Sequence, residues 1–116
     1  MTMGQDGDGL GLLVEVEPRE HHYFSVPVAA AQGSHAVMTS GVHLVGWSLR
    51  ESTGSAPAVA EFYNGEGSGA ELVGEVSLAS GTSNTQRLGD HGIRCHRGLF
   101  ISMTSGTVLG AVWVRS

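Results

Sequence analysis

Short alternating runs of apolar residues, each cut off by glycine, restrict the fold of this chain more than any other feature. No window carries a 3.6-residue apolar stripe long enough for an amphipathic helix. Val42–Arg50 (VHLVGWSLR) sets Val45, Trp47 and Leu49 on one face, with His43 sharing it. Ala58–Tyr63 (AVAEFY) runs into Asn64-Gly65, a dipeptide suited to a turn with positive φ. Glu71–Ala79 (ELVGEVSLA) places Leu72, Val76 and Leu78 together, and Gly98–Thr104 alternates Leu99, Ile101 and Met103 against Phe100, Ser102 and Thr104.

Thr107–Arg115 (TVLGAVWVR) is apolar on both faces, with Val108, Val112 and Val114 opposite Leu109, Ala111, Trp113 and Arg115. Such a strand is either covered on both sides or part of an interface. Earlier, His22–Val28 contains Pro27, which cannot donate to a ladder and marks an edge strand or a bulge. Leu12–Glu17 (LLVEVE) reads as a further short strand, and Ala29–Gly33 as a single turn. About eight short strands in 116 residues predict an all-β fold: one small β-sandwich or jelly-roll-like domain over 12–116. Residues 1–11, with four glycines and two aspartates, predict a flexible acidic arm.

Two tetrapeptides echo each other. Met38-Thr39-Ser40-Gly41 and Met103-Thr104-Ser105-Gly106 each lead into a strand with one tryptophan. They are either a relic of pseudo-symmetry or the same turn chemistry arising twice.

Charge narrows the partners. All six basic residues are arginines, against 11 acidic ones, for a net charge of -5. A surface of that sign releases no counterions from phosphates and is repelled by anionic lipid, so neither nucleic acid nor a membrane is expected as a partner. Residues 1–11 carry no basic, then apolar, pattern of a secretory signal. Cys95 is the sole cysteine, so no intrachain disulfide holds the fold.

Sites for chemistry are scarce. His21-His22 and Asp90-His91 with Cys95-His96 are the candidate metal clusters, yet adjacent residues of a strand point to opposite faces, so Cys95 and His96 cannot ligate together if extended. No H-x-H pair or G-x-S-x-G elbow occurs. The glycine-rich Gly65–Gly69 segment lacks the lysine and following helix of a phosphate loop, carries negative charge, and reads as a hairpin tip. Glu61, Glu66, Glu71 and Glu75 read as solvated charges rather than a paired-carboxylate site. The expectation is a protein that is not an enzyme and needs no cofactor or metal. Trp47 and Trp113 are candidate core or subunit-interface anchors, and Tyr63, at a strand end, is the aromatic expected to be partly exposed. With Leu109 and Arg115 these make up the candidate interface.

The second half of the chain resembles a family. Gly46-Trp47-Ser48-Leu49-Arg50-Glu51-Ser52, Phe62-Tyr63-Asn64-Gly65 and Leu78-Ala79-Ser80-Gly81-Thr82-Ser83 are similar to segments of small structural proteins of tailed-phage virions. So are Gly92-Ile93, Gly98-Leu99-Phe100-Ile101 and the closing run from Ser105 to Trp113. The similarity spans residues 42–116 and rests on turn and strand patterns. It implies a capsid decoration protein, made in the host cytoplasm and located on the virion, that binds and stabilises the major capsid protein lattice, commonly as a homotrimer. A receptor- or glycan-binding module of a tail fibre or spike is the alternative, with its aromatic platform expected around Tyr63 and the loop that follows.

Overall fold

The computed structural model describes residues 22–116, which form nine strands and one short 3-10 turn. The expected arm 1–11, strand Leu12–Glu17 and His21 of the first candidate metal cluster lie outside the described residues. The strands are β1 (Tyr23–Val28), β2 (His35–Met38), β3 (Val42–Glu51), β4 (Ala58–Asn64), β5 (Glu71–Leu78), β6 (Ser83–Arg87), β7 (Ile93–Cys95), β8 (Leu99–Ser105) and β9 (Val108–Arg115). All pairings are antiparallel. One sheet runs β1-β9-β3-β6, with β7 also on β3, and the other runs β2-β8-β4-β5. The fold is therefore all-β, two antiparallel sheets packed as a sandwich. With β7 set aside, the chain switches sheets at most of its connections and interleaves as the double Greek key of a jelly roll.

Both echoed tetrapeptides occupy matching places in this order. Met38–Gly41 leads from β2 to β3 and Met103–Gly106 from β8 to β9, each crossing from the four-stranded to the five-stranded sheet. Because β2 pairs with β8 and β3 with β9, the two crossovers are related by an approximate two-fold relation.

The inner faces supply the core. Leu44, Trp47, Leu49, Val112 and Val114 of one sheet face Ala60, Phe62, Val76, Leu99 and Ile101 of the other, all buried. Each fully buried side chain of this size contributes about 1.5–3 kcal/mol of apolar transfer energy. Trp47 stacks on Phe62 across the gap and donates its indole N–H to the side-chain oxygen of Asn84 at 2.9 Å. Pro27 sits in β1, an edge strand as expected.

Two β-bulges change which residues face inward. On β3 the register against β9 shifts between Leu44 and Gly46, so Val45 is an extra residue. Val42 and Leu44 point inward before it, and Trp47 and Leu49 after it, which takes Val45 out of the face it was expected to share with Trp47 and Leu49. On β5 the bulge residue is Val73, between the pairs Tyr63↔Leu72 and Phe62↔Gly74. Leu72, expected on one face with Val76 and Leu78, is consequently turned away from them and 52% exposed, and Val73 packs against the core instead. A bulge reverses strand alternation from that point on, which a period-two reading cannot anticipate.

Buried polar side chains tie both ends of the sandwich. Glu51 closes the first end. Its carboxylate accepts from the Thr53 hydroxyl (2.6 Å) and from the backbone N–H groups of Thr53 (2.8 Å), Gly54 (2.6 Å) and Gly81 (2.9 Å). These bonds, led by that from the Thr53 hydroxyl, hold its pKa down at about 2 although burial acts the other way. At the second end, buried Asn64 donates to Glu71 (3.2 Å) and to the His96 ring (3.2 Å), and accepts from the Arg97 N–H (3.0 Å).

Candidate functional site

The five candidate interface residues fall in three different settings. Trp47 is a core side chain, 6% exposed and closed in by the opposite sheet, so it offers no free surface. Arg115 is also buried, donating Nε–H to the Asp90 carbonyl at 2.7 Å and an Nη1–H to the Ser116 carbonyl at 3.1 Å. Leu109 and Trp113 lie half-buried on the outer face of the five-stranded sheet. Tyr63 is half-buried on the outer face of the other sheet. The structure thus separates Tyr63 from Trp113 by the thickness of the sandwich.

On the five-stranded sheet, one cross-strand row runs Arg87, Gly46, Trp113, Ser25. The missing side chain at Gly46 lets the indole settle on the sheet: a Cβ there would come within 2.8 Å of the Trp113 ring and 2.5 Å of the Gln86 carbonyl oxygen. Arg87 reaches across the same gap and places its guanidinium carbon 4.8 Å from the centre of the Trp113 ring. Around this row lies an open groove of about 540 Å³, bounded by Val45, Tyr23, Phe24 and the Gly89-Asp90 turn. The sequence gives no hint of it, because it depends on the bulge that turns Val45 outward and on the pairing of β1 with β9.

On the four-stranded sheet, two neighbouring rows form a different patch. Leu72, Tyr63 and Phe100 stand side by side across β5, β4 and β8, and Glu75, Glu61 and Ser102 form the next row. Glu61 and Glu75 are directly opposite one another, an arrangement that costs stability through like-charge repulsion. Tyr63 donates its hydroxyl proton to Glu61 at 2.6 Å. That bond, with burial and the two carboxylates, raises the phenol pKa above its usual 10.0. Read singly, both glutamates look like solvated strand charges. Counting back from the Asn64↔Glu71 pair without the bulge would set Glu61 opposite Gly74; the extra residue Val73 brings Glu75 there instead.

The cysteine–histidine cluster is split by the strand geometry. Cys95 points into the core with no exposure, and burial pushes its thiol pKa up. His96 is exposed and hydrogen-bonded to Asn64, and His91 is exposed in the turn before β7. Among the described residues no group of three or more His, Cys, Asp or Glu side chains is placed to hold a metal ion. Comparison of the chain with protein-family models, curated proteins and solved structures finds no match.

Proposed function

We propose that this chain is a structural subunit of a tailed-phage virion, a capsid decoration protein that binds the major capsid protein and stabilises its lattice. The observation that carries the reading is the patch on the four-stranded sheet. An aromatic and aliphatic row, with Leu72 half exposed, lies beside two carboxylates set against each other. Such a surface gains from a partner that covers the apolar row and brings a cation between the glutamates. The resemblance of residues 42–116 to virion proteins supports the same reading. The jelly-roll order adds a fold-level analogy, since the architecture serves viral coats as well as lectins.

A homotrimer belongs to the proposal. Leu109 and Ala111, half-buried on the outer face of β9 beside exposed Pro27, supply apolar surface for contact between copies. The test mixes purified protein with undecorated shells and measures both stoichiometry and thermal tolerance. Saturable binding that weakens with salt, together with a raised disruption temperature, is expected. Absence of stoichiometric binding overturns the reading. Sedimentation mass reads the trimer separately.

A further inference from the structure

We propose that the groove on the outer face of the five-stranded sheet binds a neutral glycan, a pyranose ring packing on Tyr23 while its hydroxyls bond Arg87 and Asp90. The site lies on the opposite sheet from the patch assigned to shell docking and stands independently of it.

Size and composition fit first. A volume of about 540 Å³ falls in the range of small-ligand sites, roughly 300–1,000 Å³. Tyr23 is 56% exposed, the most exposed of the three large apolar side chains with that much surface among the described residues. An aromatic ring left in water beside polar groups suits a ligand that is apolar on one side and hydroxylated on the other.

Charge selects the ligand class. Arg87 presents donors only and a carboxylate at Asp90 acceptors only, so the groove carries one charge of each sign. Adjacent sugar hydroxyls both donate and accept, and satisfy such a pair without bringing net charge. An anionic ligand would meet Asp90 and a protein of net charge -5. A purely apolar segment would desolvate Arg87 and Asp90 and leave them unpaired.

The walls are also held before any ligand arrives. Arg115 Nε–H bonds the Asp90 carbonyl at 2.7 Å, and the Leu88 N–H bonds the Val45 carbonyl at 2.9 Å, fixing both sides of the turn that bears Asp90. The Trp113 ring keeps the Arg87 guanidinium in place. Pre-set side chains reduce the ordering cost that weak glycan binding cannot easily offset.

Saturation-transfer NMR on the full chain tests this with methyl glycosides of glucose, galactose, mannose, rhamnose and N-acetylglucosamine at millimolar concentration. Transfer to ring C–H protons of at least one glycoside is expected. Tyr23→Ala and Arg87→Ala should each weaken binding about tenfold (1.4 kcal/mol). Both side chains are exposed, so melting temperatures should fall by only a few degrees, Arg87→Ala through loss of its contact with the Trp113 ring, and Tyr63→Ala should leave the transfer intact. Transfer from none of the glycosides overturns the proposal, as does transfer unaffected by both groove substitutions. Self-association that Tyr23→Ala abolishes, with no glycoside contact, also overturns it and gives the groove to a second copy of the chain.

Discussion

Trp47 and Phe62 meet across the two sheets with ring centroids 4.9 Å apart and planes 28° from parallel. This pair joins β3 to β4 at the centre of the core, and Phe62 is fully buried. Phe62→Ala removes the stacked partner and leaves a cavity between sheets that cannot close on it. The expected loss is about 3–5 kcal/mol, read as a lower midpoint in urea unfolding with an unchanged slope. Phe62→Leu, which keeps most of the volume, should cost well under half of that.

Glu51 gives the fold an acid-sensitive clasp. Its folded pKa of about 2 lies below the ordinary 4.5, so the ionised form stabilises the fold. That contribution is complete above about 4.5 and is lost as pH falls through about 2. Melting temperature should therefore decline for the native chain across that window. Glu51→Gln should melt lower at pH 6 and show a flatter profile between the two values. Parallel curves for the two proteins would mean that charge contributes nothing to the clasp.

Glycine positions divide sharply by surroundings. Gly110 has φ 144° and faces β3 so closely that a Cβ would lie 2.0 Å from the Ser48 carbonyl oxygen. Gly110→Ala should destabilise by at least about 2 kcal/mol, since neither backbone can withdraw without breaking the β3–β9 ladder. Gly67, in the loop after β4, has open space around it, and Gly67→Ala should stay within about 0.5 kcal/mol of the native chain. Paired thermal melts decide the comparison.

The strands legible in the sequence are those with strong apolar alternation: β3, β4, β5, β8 and β9, together with β1. None of the three that were missed shows a hydrophobic period. β6 (SNTQR) is exposed along its whole length, β2 is a four-residue edge strand, and β7 has three residues. β6 buries no face of its own, and β2 and β7, which put Val37 and Cys95 into the core, are too short for a hydrophobic period to show. For the candidate site, alternation along β4 and β9 sets the outward faces of Tyr63 and Trp113, but the neighbours each meets depend on register. The bulges at Val45 and Val73 decide that register, and each is followed directly by a glycine within its strand, Gly46 and Gly74, a mark that fits a bulge or a close backbone approach equally.

Removing the charge at Glu75 should separate stability from docking. Glu61 and Glu75 repel across β4 and β5, so Glu75→Gln should stabilise the isolated protein by about 0.2–1 kcal/mol at low salt. The gain should shrink as salt screens the repulsion between half-buried Glu61 and exposed Glu75 in the native chain. Tyr63 should titrate at a lower pH than in the native chain, because Glu75 is one of the charges holding its pKa up, while the bond to Glu61 persists. If the four-stranded sheet docks on a basic surface of the shell, the same substitution should weaken that attachment although the subunit itself is more stable. Three readouts check it: a thermal melt at two salt concentrations, ultraviolet titration of the phenol, and shell binding. A variant that is more stable and binds shells as well as the native chain would remove the two glutamates from the docking surface.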